Sequence, residues 1–137
     1  MELNFSISEG DMSAAGTAST TLKKKFLQLG IDPAIIKKAV IALYEAEINM
    51  VIHGGGGDVN IDISPEIATM VIADKGPGIP DIDLAMQEGY STATDMIREM
   101  GFGAGMGLPN IKRNSDFMEI QSKPGEGTTV IIKVKLA

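Results

Sequence analysis

The chain has no cysteine and no tryptophan, and only 4% of its residues are aromatic. Without cysteine there is no disulfide, no thiolate nucleophile and no thiolate-held metal. A core must therefore be built from aliphatic side chains. No run of 18 apolar residues occurs, so no membrane-spanning helix is expected. Positive charge is also scarce. Twelve Lys and Arg face 18 Asp and Glu, for a formal net charge of −6 and a pI near 4.7. That balance argues against nucleic acid as a partner, because phosphate backbones call for a basic face. The opening residues MELNFSISEGD alternate and carry acids, unlike a secretory leader. A cytoplasmic location with neither membrane nor nucleic acid as partner is the expectation.

What remains is ordinary in size and rich in one residue. The 137 residues suit one domain spanning 1–137. A hydrophobic share of 44% and a charged share of 22% are near globular averages. Glycine is the excess, at 16 residues against an average of about 7%. Ten of the sixteen fall in three clusters: Gly54 to Gly57; Gly76 and Gly78; Gly101, Gly103, Gly105 and Gly107.

Periodicity orders the rest. Leu3, Phe5 and Ile7 alternate with polar residues as in a half-buried strand. Ser13 to Leu29 predicts a helix with Leu22, Phe26 and Leu29 on one face, closed by Gly30. Asp32 and Pro33 read as N-cap and first helical residue of a long helix running to His53. DVNIDIS and IATMVIAD form a hairpin turned at Pro65. A glycine- and proline-rich loop and a long mixed segment follow. LPNIKRNSD then reads as a short helix, FMEIQS as a strand, PGEG as a turn and TTVIIKVKL as a last strand. Grouped strands with helices on one side predict an α+β two-layer sandwich, its sheet mixed and mostly antiparallel.

Three constellations could carry chemistry. Glu45, Asn49 and His53 stand at i, i+4 and i+8 on the long helix, hence on one face. Asn is a mediocre helix former in mid-helix, and its carbonyl is a hard oxygen ligand suited to Mg²⁺. A Glu one turn away can take a proton from water or a hydroxyl. A solvated helix face accounts for Glu45 and Asn49 about as well. Glu47 lies about 200° around the helix and is read as structural. The second cluster is Asp74-Lys75-Gly76-Pro77-Gly78-Ile79, an acid at a strand end before a glycine turn. Its carboxylate could accept from an amino group such as that of adenine, while glycine admits close approach of a ligand; taken alone, a plain turn is the simpler account. The third is GFGAGMGL, residues 101–108, where glycines opening a helix offer N–H groups to an anion. It lacks the Gly-Lys-Ser/Thr of a Walker loop and the β-α-β setting of a dinucleotide fingerprint.

In order and separation, EAEINMVIH, DKGPGI and GFGAGMGLP resemble the boxes of the GHKL ATPase superfamily, whose nucleotide-binding domain is the Bergerat fold. The resemblance covers roughly residues 30 to 137. EGYST, GLPNIKR and PGEGTTV look like the switch kinases, of the RsbT type, within the anti-sigma-factor serine/threonine kinase branch. At 137 residues no room is expected for the transducer domains of other branches.

The resemblance implies roles. Glu45 would be the general base and Asn49 the Mg²⁺ ligand. Asp74 would accept from adenine, with Gly76, Gly78 and Ile79 against the base and ribose. Gly103, Gly105, Gly107 and Leu108 would border the phosphates, and Thr128, preferred to Thr129, the adenine pocket. His53, at the end of the Asn box, would serve local packing or phosphate-side polarity without acting as base. The segment from about Asp81 to Gly107 is expected to order over ATP. The implied activity is ATP- and Mg²⁺-dependent phosphorylation of a small STAS-type antagonist in a sigma-factor partner-switching pathway. A sigma factor or phosphatase is a further expected partner, and a homodimer is an open state. Two alternatives stand beside it: an ATP-gated anti-sigma factor or activator with little kinase activity, and an ATP-binding subunit docked to something unrelated.

Overall fold

A computed structural model describes residues 1–8, 15–52, 55–76, 107–123 and 125–137. In chain order these form β1 (Glu2–Ser8), α1 (Thr17–Gln28), α2 (Pro33–Ile52), β2 (Gly56–Ile63), β3 (Ile67–Asp74), α3 (Gly107–Arg113), β4 (Phe117–Lys123) and β5 (Gly127–Lys135). The order is the one expected from periodicity. The five strands make one sheet in the order β1-β2-β3-β5-β4, antiparallel at all four pairs.

Alternation along each strand sorts the sheet into two faces. On one face, Phe5, Val59, Ile72, Val130 and Ile120 align across the five strands. The next row is Leu3, Ile61, Met70, Ile132 and Met118. These rows meet Ala18, Leu22 and Phe26 of α1 and Ile36, Ala39, Leu43, Met50 and Val51 of α2 in one core. Met50 and Met70 are both buried there. The other face carries exposed Asn4, Ser6, Asp58, Asp62, Glu119 and Gln121. The helices thus cover one side, as expected. No described helix is long and apolar enough to cross a membrane.

The best local signal was the start of α2, and it holds. The Asp32 carboxylate accepts from the Ala34 N–H at 2.8 Å, and its carbonyl accepts from Ile35 and Ile36. The helix ends at Ile52; His53 and Gly54 lie outside the described residues. The glycines after it do more than stop a helix, because Gly56 and Gly57 open β2. A Cβ on Gly57 would stand 2.1 Å from the Ala73 carbonyl oxygen, so only glycine lets β2 pair with β3 at that point.

α1 departs from expectation at both ends. It begins at Thr17, not near Ser13, because its N-cap is Gly16 in a left-handed conformation. That glycine has no side chain to cap the helix, and the cap comes from α2. The Glu47 carboxylate accepts from the N–H groups of Gly16 at 2.9 Å, Ala18 at 3.2 Å and Ser19 at 2.8 Å. Three N–H groups otherwise orphaned at a helix start are satisfied at once, and the charge sits at the positive end of the helix dipole. At the other end, Leu29 is not on the buried face with Leu22 and Phe26. It falls after the last helical residue and is 48% exposed.

Candidate functional site

The site grows from the end of the sheet where apolar rows give way to polar ones. Beyond Val59–Ile72–Val130 the same face carries Gly57 opposite Asp74 and Ser122 opposite Thr128. The Asp74 Oδ1 atom accepts from the N–H of Gly76 at 3.0 Å and from that of Thr128 at 2.9 Å. The first contact folds the chain after β3 back on itself; the second fastens that turn to β5. The Thr128 hydroxyl is buried and pairs with the Ser122 hydroxyl at 2.9 Å. Thr129 pairs with Ala73 on the opposite face, so of the two threonines only Thr128 lies beside Asp74.

Gly127 makes this geometry possible. Its φ is +123°, and a Cβ there would lie 2.2 Å from the Asp74 carbonyl oxygen. A side chain at 127 would drive β5 away from the Asp74 turn. The sequence showed Gly127 only as part of a tight turn.

Above the sheet, α2 is buried around most of its circumference near its C-terminal end: Ala46, Glu47, Ile48, Met50 and Val51 are all buried. Ile41, Glu45, Asn49 and Ile52 are half-buried and follow one another at helical spacing. They form a partly open stripe, and Glu45 and Asn49 share it. Burial pushes the Glu45 carboxyl above the usual glutamate range, while a hydrogen bond from Asn110 pulls the other way. The Asn110 Nδ2 atom donates to Glu45 Oε1 at 3.4 Å. Glu47, two residues on, is fully buried in its clasp on α1, as a structural part requires.

Asn110 was missed as a site residue. It lies in α3, one residue before the buried Ile111. Its signal was present, since a low-propensity Asn inside a helix is the argument that drew attention to Asn49. Lys112 and Arg113 are exposed. Arg113 Nη1 also donates to Asn110 Oδ1 at 3.1 Å.

Of the expected nucleotide-binding residues, the structure brings Asp74, Gly76 and Thr128 together, puts Glu45 and Asn49 on one stripe, and places Gly107 and half-buried Leu108 at the start of α3. His53, Gly78, Ile79, Gly103 and Gly105 lie outside the described residues, as does the segment expected to order over ATP. Among the described residues no three His, Cys, Asp or Glu could together hold a metal.

Residues 34–137 match the family model described as histidine kinase-, DNA gyrase B- and HSP90-like ATPase. The chain belongs to this ATPase family. Within it, the chain is 30% identical over 128 residues to the serine/threonine-protein kinase RsbT of Bacillus subtilis, covering 90% of this chain and 88% of that one. It is 34% identical over 137 residues to an anti-sigma F factor of Thermoanaerobacter sp., covering 95% and 89%. The crystal structure of the RsbU and RsbW domains of Rv1364c from Mycobacterium tuberculosis superposes with a TM-score of 0.68 at 19% identity. That likeness spans 99% of this chain and 32% of the longer one, and it shows a shared fold.

Proposed function

We propose that this chain, as a single ATPase domain, is an ATP-dependent protein serine/threonine kinase and regulatory switch. Its substrate is a small STAS-type antagonist protein in a sigma-factor partner-switching pathway. The observation that carries the reading is Glu45. It is a half-buried carboxylate with raised basicity, one turn from Asn49, and among the described residues its only hydrogen bond is the long one from Asn110. A group with spare acceptor capacity and a raised pKa suits general-base work. The names of the relatives, a serine/threonine kinase and anti-sigma factors, support the same reading.

In this reading the substrate hydroxyl gives its proton to Glu45 as its oxygen attacks the γ-phosphorus of ATP, and ADP leaves. Asp74 recognises the adenine amino group, its orientation set in advance by the Gly76 and Thr128 N–H groups. The donor set fits Mg²⁺ as a partly hydrated ion. Asn49 offers one hard oxygen, no carboxylate cage stands in the described residues, and Mg²⁺ commonly takes few protein ligands beside phosphates and water. Bound there, it would neutralise phosphate charge. The protein's own part is to position and to hold a proton.

The test is transfer of label from [γ-³²P]ATP to a STAS-domain partner captured in the presence of Mg-ATP. Glu45→Ala should reduce transfer at least about 100-fold while nucleotide binding persists. Transfer at the normal rate by that variant would remove Glu45 from the mechanism. Nucleotide-dependent capture of a sigma factor, with no labelled protein, would favour the binding-module alternative.

A further inference from the structure

We propose that Asn110 is a positioning residue for phosphoryl transfer, holding the Glu45 carboxylate in the orientation that receives the hydroxyl proton. The inference rests on the general-base reading of Glu45 and assigns a new residue to that step.

The argument starts from which way the Asn110 amide faces. An Arg side chain only donates hydrogen bonds, and an ionised carboxylate only accepts them. Arg113 Nη1 lies 3.1 Å from one end of the amide and Glu45 Oε1 lies 3.4 Å from the other. The oxygen must therefore face Arg113 and the NH₂ must face Glu45. The three groups form a chain of donors, Arg113 to Asn110 to Glu45, polarised towards the carboxylate. Asn110 is itself held in α3, where its carbonyl accepts from the Asn114 side chain at 2.8 Å.

Glu45 needs such a hold. The last torsion of a Glu side chain is broad and roughly two-fold, so an unanchored carboxylate presents its oxygens in many directions. Among the described residues Asn110 is its only hydrogen-bond partner. Occupying Oε1 leaves Oε2 as the acceptor for a proton. The 3.4 Å separation is long for a finished bond, as is common for catalytic contacts before the substrate complex forms. Because α3 packs on α2, buries Ile111 in the common core and begins at Gly107, the end of the last glycine run and the base are joined by a single side chain.

A merely structural Asn110 would tie α3 to α2 and nothing more. Single-turnover hydrolysis of [γ-³²P]ATP by the whole chain separates the two roles, with water taking the place of the hydroxyl. Asn110→Ala should lower the rate at saturating Mg-ATP about tenfold and leave the Kd for a fluorescent ADP analogue within about twofold. In the Glu45→Gln background the same substitution should change the residual rate less than about twofold, since its target is gone. Asn110→Asp keeps the shape of the side chain and sets a second carboxylate against Glu45. It should lower the rate at least as far, and it serves if the alanine variant folds poorly. An unchanged rate in both Asn110 variants, equal losses with and without Glu45, or a loss explained by weaker ADP binding would overturn the inference. A normal rate for Glu45→Gln would overturn the proposed function and this inference with it. An inactive Glu45→Gln beside a fully active Asn110→Ala would overturn the inference alone.

Discussion

Two carboxylates stand two residues apart on α2 and meet opposite fates. Glu47 points into α1, is fully buried, and accepts from three backbone N–H groups between 2.8 and 3.2 Å. Glu45 points towards α3, is half-buried, and among the described residues accepts from one side-chain amide at 3.4 Å. Burial alone would penalise both charges. What separates them is how completely the lost water is replaced. The side of α2 that meets α1 uses its carboxylate as structure, with its acceptor sites filled by rigid backbone. The side that meets α3 leaves a carboxylate under-coordinated, and this deficiency is what a general base needs. Composition cannot distinguish the two residues; coordination can.

The largest test of this contrast is removal of the saturated carboxylate. Glu47→Ala deletes the acceptor for three N–H groups at the start of α1, two of them buried. The expected cost is about 3 kcal/mol, since each charge-assisted bond contributes about 1.5–3 kcal/mol and the three do not add fully. For a domain of this size that lowers Tm by about 10 °C. Glu47→Gln should recover little, because its NH₂ group turns a donor towards N–H donors. Thermal melting followed by circular dichroism checks both. A Tm within about 2 °C of wild type for Glu47→Ala would show that α1 does not depend on the clasp.

How much of this was legible in the sequence follows a physical line. Elements whose cause is local could be read. Asp32 and Pro33 announce the start of α2, and alternation marks β2. Features whose cause lies far along the chain could not. The start of α1 is set by Glu47, 28 to 31 residues away, so its weak local signal misplaced it. The Asn110 contact joins residues 65 apart, and the need for glycine at 127 appears only once β5 lies against Asp74. Leu29 was drawn into the apolar face because helical spacing was continued one residue beyond the helix.

The opposite carboxylate gives a smaller effect of opposite sign. Burial raises the pKa of Glu45 in the folded chain, so the folded state holds its proton to higher pH than the unfolded state does. Below the ordinary glutamate pKa both states are protonated and Glu45 costs nothing. As pH rises through the raised pKa the folded state loses stability relative to the unfolded one, and above it the penalty is complete. Glu45→Gln should therefore be more stable than wild type at neutral pH, by under about 1 kcal/mol for so partly exposed a group. The gain should fade as pH drops into the ordinary carboxylate range. The same protonation should remove phosphoryl transfer on the acid side. Urea unfolding of both proteins across pH 3–8 checks the sign. A variant less stable than wild type at neutral pH would mean that Glu45 is held as a structural group.

The smallest effect sharpens where the clasp on α1 resides. Ser19 contributes its backbone N–H to Glu47 and its hydroxyl to the Gly16 carbonyl at 3.2 Å. If the clasp is made of backbone, Ser19→Ala keeps it whole. The substitution removes one neutral hydrogen bond and places a better helix former in the first turn of α1. The net cost should be within about 1 kcal/mol, well below that of Glu47→Ala. In Ser19→Ala combined with Glu47→Ala the two losses should add, because each acts on a different group. Strong non-additivity would place the Ser19 hydroxyl inside the clasp. It would also move the origin of the Glu47 effect from backbone satisfaction to a side-chain network, the kind of arrangement that the structure gives to Glu45 and Asn110 instead.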